Sequence, residues 1–211
     1  MRTKSDVTTI LDALDKYIPN PKSDLEYTNA YTLLVAIVLS AQSTDKGVNK
    51  ATKALFEVAD TPQKMLDLGI DNLKEYIKTI GLYNNKAKSI MSLSQDLIDK
   101  FGGNVPSARE EIQSLAGAGR KTANVVLNVW FNQPTLAVDT HVARVANRLG
   151  FSDQKDPTKI EFDLENIIPD EYKLKAHHLL ILFGRYTCKS VKPLCEQCPI
   201  TALCHSKDKR I

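Results

Sequence analysis

The chain has 211 residues, 43% of them hydrophobic, enough to bury a substantial core in one large or two small domains. Its 28 Lys and Arg against 25 Asp and Glu leave a net charge of +3, short of the basic excess that by itself marks a nucleic-acid binder. The longest apolar run, Leu33 to Leu39, falls far below the ~20 residues of a bilayer-spanning helix, and the amino end lacks the apolar stretch of a secretory signal. No membrane partner and a cytoplasmic location are expected.

Taken in order, the elements are helices, because apolar residues recur at three- and four-residue spacing with stop signals between the runs. Nothing reads as a sheet, so the expected class is all-α. Leu33, Leu34, Ile37 and Val38 lie in a helix apolar nearly all round, which places it at the centre of a core. Thr61-Pro62 has the form of an N-cap followed by a φ-fixing ring, and Ser107 with Glu110 has the spacing of a capping box. Gly81, Gly102 and Gly150 read as helix stops. No fixed-period repeat or low-complexity tract occurs; Asn132, Gln133 and Pro134 interrupt the helical pattern and mark a candidate domain crossing.

The segment Leu115-Ala116-Gly117-Ala118-Gly119-Arg120-Lys121-Thr122-Ala123 joins a short helix to a longer one. Gly117 and Gly119 can take positive φ and let main-chain amides approach a phosphate, and a helix start adds N–H groups and partial positive charge. This is a helix-hairpin-helix suited to a DNA backbone. Lys121 stands one step inside the second helix beside Arg120, where the helix terminus and the neighbouring cation both disfavour the ammonium form. A neutral amine there can attack the anomeric carbon of a deoxyribose, displace the base and leave a Schiff base that eliminates the 3′ phosphate. Asp139, in Val138-Asp139-Thr140-His141, is a helix-start carboxylate able to stabilise oxocarbenium-like charge on that sugar. Each residue has an ordinary alternative: a plain turn for the hairpin, a solvated charge for Lys121, a simple N-cap for Asp139.

All four cysteines fall near the carboxyl end, as Cys188, Cys195, Cys198 and Cys204, separated by six, two and five residues. Four thiols so close together in a cytoplasmic chain are the ligand set of one metal centre, and on spacing alone zinc and a four-iron cluster both remain open. Between the first two ligands, Lys189, Lys192 and Pro193 read as a rigid basic finger for phosphates. From Glu171 to Ile211 the chain is locally basic, with Lys173, Lys175, Arg185, Lys207, Lys209 and Arg210 besides these two lysines, against Glu171, Glu196 and Asp208.

Several motifs agree in order with one family. They are Leu39-Ser40-Ala41-Gln42-Ser43-Thr44-Asp45, Ile80-Gly81-Leu82-Tyr83-Asn84, Gly119-Arg120-Lys121-Thr122-Ala123-Asn124, Val138-Asp139-Thr140-His141, Gly184-Arg185-Tyr186-Thr187-Cys188 and the cysteine spacing. The chain resembles the endonuclease III family of the helix-hairpin-helix glycosylases over essentially its whole length. The resemblance implies two helical lobes, a six-helix barrel over 23–133 and an iron-sulfur lobe from 1–22 and 134–211, with DNA in a cleft between them. It implies a [4Fe-4S] cluster on Cys188, Cys195, Cys198 and Cys204, and removal of oxidised or ring-saturated pyrimidines from duplex DNA with AP lyase cleavage through Lys121 and Asp139. Gln42 and Leu82 take the positions that enter the gap left by the flipped base, and His141 lines the pocket. Gly117, Gly119, Arg120, Thr122, Lys189 and Lys192 complete the expected DNA contacts. Without the family, Gln42 at a buried helix end and Leu82 after a stop glycine read as packing residues.

The chain departs from the family at Ala116 and Ala118, where Pro and Val are usual. Loss of the proline is expected to loosen the turn and weaken DNA binding, which Ala116→Pro would reverse. An adenine glycosylase of the same superfamily is opposed by Lys121, by Ile37 where that family has a catalytic Glu, and by the lack of its added carboxyl-terminal domain. A non-catalytic DNA-binding module is the alternative of a different class. No long heptad pattern calls for a mate, so a monomer is expected.

Overall fold

The computed structural model describes residues 2–210, and among them no strand occurs. Eleven α-helices are described: α1 Lys4–Tyr17, α2 Ala30–Ser40, α3 Asp45–Val58, α4 Pro62–Leu68, α5 Ile70–Ile77, α6 Tyr83–Phe101, α7 Arg109–Gln113, α8 Arg120–Val129, α9 Thr140–Leu149, α10 Pro157–Ile167 and α11 Lys173–Tyr186. The residues group into two compact units, Ser23–Asn132 and Met1–Lys22 with Gln133–Ile211. Asn132, at the end of the first, turns the chain with φ 52°.

Unit Ser23–Asn132 is built round α2. Every residue from Tyr31 to Leu39 is buried, which is why this helix carries no polar face. At roughly 1.5–3 kcal/mol for each fully buried large aliphatic side chain, α2 is the main apolar contribution to this unit. Its start is held by a capping box in which Asn29 accepts from the Thr32 amide and Thr32 caps in return. Helices α3, α6 and α8 pack on it, α4 and α5 pack on α6, and α7 pairs with α8. Gly69, at φ 78°, separates α4 from α5, so this unit has seven helical segments where six helices are expected.

The other unit packs α1 and α9 on α11, with α10 on α9. Gly184 permits the α9–α11 approach: a Cβ there would stand 3.0 Å from His141 Cβ and 3.1 Å from Val145 Cγ2. Leu11, Leu14, Phe151, Leu164 and Phe183 fill its core.

The helix ends divide the punctuation into two groups. Thr61 caps α4 through the Lys64 amide with Pro62 at the first position, and Gly102 and Gly150 end α6 and α9 in left-handed conformations. Two expectations are corrected. Helix α7 begins at Arg109 with Ala108 at its N-cap and no side-chain cap bond, so Ser107 and Glu110 form no capping box. Gly81 stops no helix, because α5 ends at Ile77 with Lys78 as its cap; the glycine lies in the turn that enters α6.

Candidate active site

The hairpin is formed by α7, the turn 114–119 and α8. Gly117 carries φ 80°, and a Cβ on it would meet Ser89 Cβ at 3.0 Å and Val38 Cγ1 at 3.2 Å. Conformation and space both demand glycine there. Gly119 differs: it is extended, with φ −85°, and nothing lies within 4 Å of an added Cβ. The expectation that both glycines use positive φ therefore holds only for Gly117; Gly119 keeps bare the surface over the start of α8. The turn is closed by a hydrogen bond from the Ala118 amide to the Leu115 carbonyl at 3.0 Å, and both residues are buried.

Arg120 and Lys121 are the first two residues of α8, and Lys121 is exposed. Thr122 is buried, which leaves its main-chain amide in the first turn, and not its hydroxyl, as the group to offer a ligand.

Asp139 is the N-cap of α9, its Oδ1 accepting from the amides of His141 and Val142, both at 2.8 Å. Two amide donors on one oxygen hold the half-buried carboxylate in a fixed direction. The apolar lead-in is also anchored, since His177 Nδ1, on buried α11, lies 3.1 Å from the Ala137 carbonyl and donates to it. His141 Nδ1 is 3.2 Å from Arg144 Nη2; a guanidinium only donates, so Nδ1 accepts and Nε2 carries the ring hydrogen.

Gln42 and Leu82 do not pack as the ordinary reading has it. Gln42 lies beyond the end of α2, exposed, with φ 56°, and Leu82 is the left-handed N-cap of α6 with φ 59° and 59% exposure. A non-glycine residue in this region costs about 1–2 kcal/mol, so two adjacent turns spend conformational energy to project a glutamine and a leucine. The two turns are neighbours: a Cβ on Gly81 would lie 3.9 Å from the Gln42 carbonyl, an ordinary contact that does not by itself require glycine.

The cysteines lie in a segment of turns that follows α11, with 3₁₀ turns at Cys195–Gln197 and Thr201–Leu203. All four line one small cavity, closed by Leu149, Phe183 and Ile200. Among the described residues no three side chains of His, Cys, Asp or Glu close up as they do around a single ion; the four thiols instead surround a space. That donor set fits a polynuclear sulfur-ligated centre. Burial pushes the Cys198 thiol up, so the thiolate needed by a metal forms by proton release on binding. Lys189 and Lys192 are both exposed on the 188–195 loop, Lys192 at φ 55° before Pro193.

Three further residues carry this architecture and were not evident in the sequence. Arg144 donates to the carbonyls of Cys188 at 3.1 Å and Gly184 at 2.8 Å. Arg148 donates to the Lys189 carbonyl at 2.7 Å and reaches Cys188 Sγ at 3.5 Å. Their spacing from His141, three and seven residues along α9, is the signal that would have placed them on one face. Lys86 is the third, a buried lysine on α6.

An all-helical fold with a glycine hairpin that delivers an exposed lysine, and a separate loop of four cysteines, defines a helix-hairpin-helix DNA repair scaffold. Residues 35–170 match the HhH-GPD superfamily of base excision DNA repair proteins, and the chain belongs to that family. It is 55% identical over 200 residues to Endonuclease III of Haemophilus influenzae, covering 95% of each chain. It is 48% identical over 200 residues to Endonuclease III of Escherichia coli K12, again over 95% of each. A trapped endonuclease III–DNA covalent intermediate superposes with TM-score 0.92 at 46% identity, covering 97% of both chains. A thermostable thymine-DNA glycosylase shares the fold, with TM-score 0.85 at 23% identity over 95% of this chain and 96% of that one.

Proposed function

We propose that this protein is a base-excision DNA glycosylase and AP lyase that removes oxidised or ring-saturated pyrimidines from duplex DNA. The observation that carries the reading is Lys121, exposed at the start of α8 two residues beyond the bare Gly119. In its neutral form the amine attacks C1′ of the damaged nucleoside. Its electron pair makes the new C–N bond as the bond from C1′ to the base breaks, and the base leaves with the electrons of the broken bond and takes up a proton. Loss of a proton from nitrogen and opening of the sugar ring give the imine. Removal of a C2′ proton then forms the C2′=C3′ bond and expels the 3′ phosphate, and hydrolysis frees the lysine.

Asp139 supplies the fixed carboxylate for the positive charge that develops on the sugar and a base for the lysine proton. Gln42 and Leu82 enter the space of the extruded nucleotide, offsetting a few kcal/mol of unstacking. His141 meets the flipped base. Gly117, Gly119, Arg120 and the main chain of Thr122 receive phosphates at the helix start, as Lys189 and Lys192 do on the cysteine loop. A [4Fe-4S] cluster held by Cys188, Cys195, Cys198 and Cys204 supplies folding energy to that loop and no bond-making step. The enzyme acts as a cytoplasmic monomer.

An adenine-specific reading is disfavoured by Ile37, buried in α2 at the position where that branch needs a catalytic carboxylate. Borohydride trapping on a duplex with one thymine glycol tests the proposal. The wild type should form an adduct that Lys121→Ala lacks. Asp139→Asn, which keeps a good N-cap, should retain stability and lose about 10²–10⁴ in base removal. An intact wild type that forms no adduct overturns the lyase assignment.

A further inference from the structure

Lys86 is 7% exposed, and its ammonium donates to the Leu39 carbonyl at 2.9 Å, the Ala41 carbonyl at 2.6 Å and the Ser43 hydroxyl at 3.1 Å. All three donors of the group are used, and none goes to a carboxylate. Burial of a cation without a counter-charge is costly, and it pulls the Lys86 pKa below the ordinary lysine range. The compensation is local. The carbonyl end of α2 carries partial negative charge that favours a cation, and Leu39 belongs to its last turn.

The contacts are distributed unevenly over the chain. Ala41 and Ser43 are the two neighbours of Gln42, so one ammonium grips the main chain before that residue and the side chain after it. Between those anchors Gln42 is held at φ 56°, exposed. The same residue reaches Leu82 through its backbone, because the Lys86 amide donates to the Leu82 carbonyl at 3.0 Å in the first turn of α6. That helix bond is one any residue at this position makes; the Lys86 side chain itself anchors the Gln42 turn, while Leu82 is the N-cap of the helix that carries Lys86.

We infer that Lys86 is a positioning residue whose side chain holds Gln42 ready to enter the base stack, with Leu82, in place of an extruded nucleotide. This rests on the glycosylase reading above. Lys86 touches neither sugar nor base; it acts by keeping the strained Gln42 turn in the conformation that insertion needs, so that the ordering of this turn does not weaken DNA binding.

Two duplexes distinguish this role from general stability: one with a paired thymine glycol, where the base must be extruded, and one with a preformed abasic site, where no base is unstacked. Lys86→Met should lose about 10–100-fold in kcat/KM for base removal, and about threefold or less in imine formation at the abasic site. In a Gln42→Ala, Leu82→Ala background the same substitution should add no selective loss, since there is nothing left to position. Equal loss on both duplexes, unchanged base removal, or a fully additive loss in that background would overturn the inference. If Lys86→Met does not fold, Ser43→Ala removes one of the three contacts and leaves the charge satisfied by the other two. It should show the same selectivity at about threefold, and its absence would equally overturn the role. A wild type that forms no imine on either duplex removes the glycosylase reading and the inference with it; intact trapping with an unselective Lys86→Met removes only the inference.

Discussion

The two units hold their working parts by different means. In Ser23–Asn132 the hairpin and the Gln42 and Leu82 turns lean on α2, a helix buried all round, and on one buried lysine. In the unit of Met1–Lys22 and Gln133–Ile211, the segment after α11 has only two 3₁₀ turns of its own. Guanidinium groups of Arg144 and Arg148, together with Arg2 on the Leu203 carbonyl, thread it to the helices. The contrast shows two solutions to one problem. An apolar core positions a turn by excluding alternatives, whereas a loop that gives the core only Ile200 leans on directed polar bonds, to which the proposed cluster would add.

The largest break in this symmetry should come from Cys198→Ser. If Cys198 is a ligand of the proposed cluster, its loss should release the 188–204 segment, with amide exchange there accelerated on the order of a hundredfold or more, while the amides of α2 keep their protection. Equal acceleration in both places would show that the two units do not stand independently.

A smaller effect separates the two hairpin glycines. Gly117→Ala meets both a left-handed φ and contacts of 3.0–3.2 Å, and should destabilise by about 2 kcal/mol or more. Gly119→Ala meets open space and an extended φ, so its melting temperature should stay close to wild type. Its duplex affinity should nevertheless fall about tenfold, the equivalent of one charge-assisted hydrogen bond lost at the helix start. Similar melting temperatures for the two variants would refute the distinction.

The smallest effect concerns the interior of the second unit. Tyr172 donates to Asp12 Oδ1, and this bond, with burial and the carboxylate's charge added, pushes the phenol up to about 12. In the unfolded chain the phenol titrates near 10. Its contribution is therefore complete below pH 10 and is lost as pH rises towards 12, because the unfolded chain gives up its proton first. Replacing Tyr172 by Phe should flatten that part of the stability curve; an unchanged slope would deny the contribution.

Much of the fold was legible in local signals. The nonpolar stretch 33–39 required a central helix because it has no polar face, and the Thr61-Pro62 and Asp139 starts required caps and Gly102 and Gly150 stops, since these depend on bonds within five residues. Lys121 and the cysteine quartet were legible for the same reason: their type and spacing already limit the chemistry. Signals of the same kind failed at Ser107, where α7 begins a residue later than a capping box needs, and at Gly81, which serves a turn and not a stop. A pattern of four residues states a preference that the surrounding packing can override.

Sequence alone determined the helical class, the hairpin and its lysine, the capped carboxylate and the group of thiols, because these follow from periodicity, from glycine and proline geometry and from side-chain chemistry. Only the tertiary structure decided that Gly117 and Gly119 serve different ends, that Gln42 and Leu82 project instead of packing, that Lys86 binds both neighbours of Gln42, and that Arg144 and Arg148 bind the cysteine loop. Lys86 meets the Ala41 carbonyl across forty-five positions of chain, and Arg148 meets the Lys189 carbonyl across forty-one. The partner in each bond is a main-chain carbonyl, a group that every residue carries, so no residue identity announces it and only the folded path of the backbone brings it within reach.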